Sequence, residues 1–244
     1  MRIGKIVTAA LLGALLLACG GEEDELAGLF EDENLKRCVV KRLERDADYG
    51  FEISDIVRVD CGNRNITTLA GIEHMTSLWT LHIENNPVED YSGIEKTPLQ
   101  RLYLNNMPVA PDLSKIGKIT TLEELYAEDA NLTTAQIDQL ADATLPNLDM
   151  MDFDHNNITS IEGMRNLHDV RRIDLDYNYI SDASPLYDLE NLEEVYLWAN
   201  CFEDPYAAEE EAVAYNDAIV IGAPPGLEPH SPEECAEARE EYGR

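Results

Sequence analysis

Residues 170–180 read VRRIDLDYNYI, and residues 148–158 read LDMMDFDHNNI. Laid over one another, both place apolar residues at positions 1, 4, 6 and 11, with an aspartate on either side of position 6. Five more segments fit the frame: IVRVDCGNRNI from Ile56, LWTLHIENNPV from Leu78, LQRLYLNNMPV from Leu99, LEELYAEDANL from Leu122 and LEEVYLWANCF from Leu192. The seven starts lie 22, 21, 23, 26, 22 and 22 residues apart. Four slots in seven units make 28, and all are apolar when Cys61 and Ala127 are counted, in a chain that is 27% charged. Such a period belongs to the fold, not to composition.

Alternation over positions 3 to 7 predicts a short strand in each unit, with positions 4 and 6 pointing inward and 3, 5 and 7 outward. A second apolar set, Ile72, Ile94, Ile116, Leu140, Met164 and Leu186, marks where the chain returns on the opposite side. One unit cannot bury its apolar face alone, but stacked units share one continuous core.

This pattern resembles the leucine-rich repeat, LxxLxLxxNxI, in its internalin-like form. The resemblance implies an α/β, right-handed leucine-rich-repeat solenoid of about seven repeats, with a parallel concave sheet and helical N-terminal and C-terminal caps. The family's asparagine at position 9 is matched by Asn86, Asn156, Asn178 and Asn200, whereas Arg64, Met107 and Ala130 depart from it. The fourth unit carries an insert, TTAQIDQLADATLP, in which Thr133 and Gln136 form a capping box before Ile137, Leu140 and Ala141. A convex helix is expected there.

The chain opens MRIGKIVTAALLGALLLACGGEEDE. Arg2 and Lys5 precede a 13-residue uncharged run, Ile6 to Ala18, against the roughly 20 residues that span a bilayer. Leu16-Leu17-Ala18-Cys19 resembles a bacterial lipobox, which implies cleavage before Cys19 and its lipidation. Gly20 after it implies sorting to the outer membrane of a Gram-negative cell. An ordinary signal peptide cleaved elsewhere is the alternative. The expected layout is residues 1–18 as lipoprotein signal peptide, 19–29 as flexible acidic leader, 30–55 as N-terminal cap, 56–202 as leucine-rich repeats, and 203–244 as C-terminal cap and acidic tail.

Solenoid ends expose core and need covering. Asp32 is expected to cap a helix with Leu35, Cys38, Val39 and Leu43 on one face. Helices are also expected from Asp204-Pro205 and from Ser231-Pro232, the latter with Ser231 and Glu234 as a capping box. Beyond Cys19 there are four cysteines, an even number that reads as a disulfide framework with three connectivities. A zinc site is the alternative, but no CxxC or nearby Cys/His pair supports it. A helix covering the first strand would bring Cys38 to Cys61, and the last helix would return Cys235 to Cys201. The expected pairs are therefore Cys38–Cys61 and Cys201–Cys235.

Net charge is −31, from 18 basic and 49 acidic residues. Removal of residues 1–18 deletes Arg2 and Lys5 and leaves 16 against 49, or −33. Such a surface excludes nucleic acid as a partner and leaves the membrane accessible only through the lipid anchor. There is no G-x-S-x-G, H-E-x-x-H, phosphate-binding glycine loop or EF-hand loop, so no catalytic residue, cofactor or metal is expected.

The outward strand positions carry the functional reading. They set Tyr103, Tyr126, Tyr196 and Trp198, with Trp79 nearby in sequence, among acids; aromatic side chains standing out from a sheet favour an interface. Asp152 and Asp154 lie beside Asp174 and Asp176, because stacked strands place equal positions about 4.8 Å apart. Glu128 adjoins Asp154. Each like-charged neighbour costs on the order of 1 kcal/mol in water. Relief by Arg172 and by salt is the bland explanation; a cationic ligand is the sharper one. A basic protein surface is favoured over a divalent cation such as calcium, since a flat sheet converges few ligands. The expectation is a monomeric, non-catalytic protein-binding module at the bacterial outer membrane or cell surface, with a protein partner of unknown identity. The alternative is a carbohydrate-binding surface protein in which Trp79, Tyr103 and Trp198 stack on sugar rings.

Overall fold

The computed structural model describes residues 26, 28–45, 51–213, 219–220 and 230–242. The lipidation site Cys19, the signal segment and nearly all of the acidic leader lie outside the described residues. Each unit contributes a three-residue strand at positions 3 to 5: β1 (Arg58–Asp60), β2 (Thr80–His82), β3 (Arg101–Tyr103), β4 (Glu124–Tyr126), β5 (Met150–Asp152), β6 (Arg172–Asp174) and β7 (Glu194–Tyr196). They pair in parallel and in sequence order, equal position against equal position. An eighth strand, β8 (Ile219–Val220), pairs with β7 and extends the sheet beyond what the period predicted. The helices are α1 (Glu33–Arg45), α2 (Leu113–Ile116), α3 (Thr134–Asp138), α4 (Pro205–Val213) and α5 (Pro232–Glu241).

Burial follows the frame. Of the four apolar slots per unit, all are buried except Val109 and Phe202, which are half-buried. In the third unit Met107 is buried instead, so an apolar side chain fills the place where other units keep asparagine. Ile72, Ile94, Ile116, Leu140, Met164 and Leu186 are all fully buried in short turns of helix. The insert forms α3 with its capping box, but then tightens into a 3-10 turn, Gln139–Asp142. That change of pitch buries Ile137 and Leu140 and turns Ala141 outward, so the single helix expected there is two short pieces. Unit five packs hard against it: a Cβ on Gly163 would collide with the Ile137 carbonyl.

The asparagine ladder has a direction. The Asn86 side-chain amide donates to Cys61 O of the preceding unit at 2.9 Å, and its oxygen accepts the Arg64 and Ile66 N–H groups at 2.9 and 3.0 Å. Asn156, Asn178 and Asn200 likewise donate backward, to Ala127 O, Phe153 O and Leu175 O at 2.8, 2.9 and 2.9 Å. Each buried asparagine therefore satisfies carbonyls and amides that would otherwise be orphaned. The first unit has no predecessor, so nothing requires asparagine at position 9 and Arg64 is free to stand outside. At the fourth unit Asn131, one position later, reaches back to Met107 O at 2.7 Å.

Both caps form as the sequence implies. Asp32 caps α1 through Asn34 N and Leu35 N, and its other oxygen accepts from Thr67 N and Thr67 Oγ1, tying the helix to the first unit. Leu35, Cys38, Val39 and Leu43 are buried beneath it. The disulfides join Cys38 to Cys61 and Cys201 to Cys235, with Cα separations of 5.8 and 5.7 Å. Ser231 and Glu234 make the capping box of α5, and the rings of His230 and Tyr242 stack on Tyr179 of the sixth unit. No helix among the described residues is long and apolar enough to cross a membrane.

Candidate functional site: the concave face

Sheet register aligns position 5 in one row: Asp60, His82, Tyr103, Tyr126, Asp152, Asp174, Tyr196, Val220. Its first half is aromatic. His82 and Tyr103 stack with centroids 4.1 Å apart and planes within 5°, and Tyr103 and Tyr126 stack at 4.6 Å and 2°. Both faces of Tyr103 are therefore covered by neighbouring rings, which leaves no face for a sugar. Burial, and then the hydrogen bond that the Tyr126 hydroxyl donates to Glu124 at 3.0 Å, push its pKa up to about 12. Arg101 pairs with the same glutamate at 3.0 Å. Thr80, at an outward position, is buried between its register neighbours Arg58 and Arg101, whose long stems flank it.

The second half is acidic. Asp152 and Asp174 are direct register partners, bracketed by Tyr126 on one side and Tyr196 on the other. Each turns one oxygen down its own strand to accept the backbone N–H two residues on, Asp154 at 3.4 Å and Asp176 at 3.1 Å. Asp176 accepts the backbone N–H of Trp198 at 3.0 Å and is only 5% exposed, although position 7 points outward. Asp154 pairs with His155 at 2.9 Å, while its Oδ1 is buried without a partner. Ligand atoms of Glu128, Asp154 and His155 lie within 4.8 Å of one another, a mixed oxygen–nitrogen group that could touch a metal ion.

Arg172 does not relieve this block. It turns to Asp149, 3.0 Å away, in the unit before it. Among the described residues no lysine or arginine forms an ion pair with the four aspartates. The electrostatic consequence is strong. Burial, then the charge of Asp154, pushes the Asp152 carboxyl up to about 6. Burial, then the charge of Asp174, pushes Asp176 up to about 8. Asp174 is raised as well, chiefly by burial. Near neutrality the block therefore retains protons, chiefly on Asp176, that a cation would displace.

Of the remaining aromatics proposed from sequence, Tyr196 is 39% exposed at the edge of the block, and Trp198, half-buried, lies two residues further on, just past the end of β7. Trp79 is 52% exposed but sits at position 2 of the second unit, five strand spacings from Trp198, or about 24 Å. It does not join the cluster. What the sequence reading missed is a second aromatic row, His155, Tyr177 and Trp198, with centroids 4.1 and 4.6 Å apart. His155 and Tyr177 occupy position 8, which is left-handed in every unit, with φ between 49° and 58°. Units one to four place Asn63, Asn85, Asn106 and Asp129 there, residues that tolerate the conformation; units five to seven place His155, Tyr177 and Ala199. That switch of residue type was the available signal.

No family model matches the chain. An 83-residue stretch is 30% identical to leucine-rich repeat and WD repeat-containing protein 1 of Xenopus laevis, covering 34% of this chain and 12% of that protein. The fold is similar to internalin C2 of Listeria monocytogenes, with a TM-score of 0.58 and 23% identity over 82% of this chain and 98% of that one. The chain has the leucine-rich-repeat fold. The same solenoid is shared with human trophoblast glycoprotein, at a TM-score of 0.53 and 20% identity over 74% and 73% of the two chains. These likenesses are of fold; the outward residues of this solenoid are its own.

Proposed function

We propose that this leucine-rich-repeat protein is a non-catalytic binding module whose concave face, from β4 to β7, receives a basic protein surface. The observation that carries the reading is the carboxylate block: four aspartates on two adjacent units, Asp176 buried and the other three half-buried, without a lysine or arginine partner among the described residues. Folding gains nothing from that arrangement, and a fold can sustain such strain when a ligand relieves it. Tyr126, Tyr196 and Trp198 border the block with aromatic surface of the kind that anchors interfaces. Lysine or arginine side chains entering between them would displace the bound protons and meet both charge and ring edges.

The resemblance of the first residues to a lipobox supports placement on the outer membrane through Cys19. The two disulfides fit an oxidising compartment. Replacement of Cys19 by serine is expected to release the protein from membranes; retention in the outer-membrane fraction would rule out that anchor.

The test of the main reading is differential capture from envelope and host extracts. The full chain and its Asp152→Asn, Asp154→Asn, Asp174→Asn, Asp176→Asn variant are used side by side. The expected result is a basic protein held by the parent, lost from the variant, and released by moderate salt. Equal capture by both would overturn the reading, and calcium-dependent stabilisation of the parent alone would replace it with a metal site.

A further inference from the structure

The most acidic-looking of sequences keeps a cluster of cations at one end. A hollow of about 570 Å³ opens between α1 and the edge strand β1. Its wall carries Lys41, Arg42 and Arg45 from the helix, Arg58 from the strand and Arg64 from the following loop, with Asp60 the one acid among the described lining residues. These five are drawn from 18 basic residues in the whole chain. A helix C-terminus favours cations, which accounts for Arg42 and Arg45 alone. It does not account for Arg58 and Arg64, which arrive from two other elements.

Two features make the hollow more than a solvated surface. First, Lys41, Arg45, Arg58 and Arg64 form no ion pair with any described residue, in a chain with 49 acids. Outside the hollow Lys36, Lys96, Arg101, Arg165, Arg171 and Arg172 each find a carboxylate, and Arg37 bonds Asn34 Oδ1. Lys115 and Lys118 on the convex side form no ion pair with a described residue either, so what sets the hollow apart is the convergence of its cations. Second, the wall is fixed. Arg42 donates from Nε to the Arg58 carbonyl at 3.2 Å and lies over the Phe51 ring at 5.2 Å. The Cys38–Cys61 disulfide clamps the helix to the strand beside it. Arg64 is held at its backbone by the Asn86 side chain, and as the position-9 residue of a unit with no predecessor it projects outward.

We propose that this hollow is an anion site for a compact phosphate-bearing ligand of high charge density, a phosphate monoester or a pyrophosphate. Guanidinium forks meet phosphate oxygens in pairs, and several of them around one cavity match a ligand of high charge density better than a single carboxylate. The volume lies within the range of small-molecule sites, about 300 to 1,000 Å³. The acid block does not cancel the site: four strand spacings separate β1 from β5, about 19 Å, against a screening length of about 8 Å at physiological salt. The same phosphate chemistry is offered by a soluble phosphorylated metabolite and by a phosphorylated lipid headgroup.

Calorimetric titration of the full chain with inorganic pyrophosphate at low ionic strength tests the site, beside flotation with phosphatidic-acid vesicles and with neutral vesicles. Parent protein is expected to bind pyrophosphate, and Arg58→Gln/Arg64→Gln to bind it at least about tenfold more weakly. Lys115→Gln/Lys118→Gln, on the convex side, is expected to match the parent. Thermal unfolding of Arg58→Gln/Arg64→Gln without ligand should be unchanged or raised, which separates lost binding from lost fold. Selective binding to phosphatidic-acid vesicles that pyrophosphate displaces assigns the site to a headgroup; pyrophosphate binding alone assigns it to a soluble ligand. No binding of either probe by the parent overturns the proposal. So does an equal affinity in Arg58→Gln/Arg64→Gln, or an equal loss in Lys115→Gln/Lys118→Gln.

Discussion

The first strand of this solenoid and its fifth and sixth treat charge in opposite ways. At the first strand, cations from three elements gather around a hollow; four strands on, carboxylates gather and Arg172 turns away from them toward Asp149. Were stability alone in charge of the surface, the two sets would be interspersed, since adjacent strands could pair them at about 4.8 Å. A repeat fold permits the separation because its core slots are filled independently of its outward ones. The net charge of −31 averages over both regions and describes neither.

Each region is held by its own disulfide. The disulfides close loops whose ends are 23 and 34 residues apart, so removing either should cost about 3 to 4 kcal/mol in the chain-entropy model. Cys38→Ser/Cys61→Ser is expected to loosen the basic end and leave partner binding at the acid block, while Cys201→Ser/Cys235→Ser does the reverse. Chemical denaturation with partner and pyrophosphate titrations would show it; loss of both binding activities from either variant would mean that the ends are not separable.

Next in size is the affinity lost when the four aspartates become asparagine. Removing charges that meet a desolvated cationic partner should cost about 2 kcal/mol or more, roughly thirtyfold in Kd. The empty variant should be at least as stable as the parent.

The pH dependence of stability should carry the same signature, more weakly. Asp152 and Asp176 titrate at about 6 and about 8 when folded, above the ordinary value of 3.8, so the folded chain binds more protons than the unfolded one. Their contribution is full below about pH 4 and is lost as pH rises through 6 and then 8. Asp32 and Asp90 act oppositely: hydrogen bonds outweigh burial and hold both low, so they lend stability that fades only as pH falls below the ordinary carboxylate range. Parent melting temperature is therefore expected to decline from pH 5 to pH 8.5, and that of the asparagine variant to decline less. Affinity for a cationic partner should rise over the same interval, because ionised carboxylates bind it. Parallel melting curves for the two proteins would remove the block as the cause.

The smallest effect is at position 8. Tyr177→Asn relieves a left-handed backbone but loses stacking with His155 and Trp198, so its stability should stay within about 1 kcal/mol of the parent. Asn106→Tyr, in the first half, adds the strain without that stack and should cost about 1 to 2 kcal/mol. Equal effects at both positions would show that the aromatic row does not support its own backbone.

Much of the architecture was legible because it depends on residues close in sequence. Asp32 before Leu35, Ser231 before Glu234 and the recurring apolar slots each report a local geometry with one low-energy solution. Val109 and Met107 exchanged places because a missing asparagine freed the loop to turn its methionine inward, a choice settled by packing between units. The four aspartates were placed correctly side by side, since register follows from the repeat. Their burial was not, nor was the direction of Arg172, because both depend on neighbours one unit away competing for the same space.

The sequence by itself determined the period, the inward faces, the caps and the pairing of cysteines, since apolar spacing and capping chemistry leave a repeat unit one way to bury its surface. Only the tertiary structure decided that Asp176 is sealed behind the Trp198 backbone, that Tyr103 has both faces covered, and that Lys41, Arg45, Arg58 and Arg64 share one hollow. Those properties arise between residues up to 23 positions apart. They depend on how far each unit approaches the next, a distance no single unit encodes.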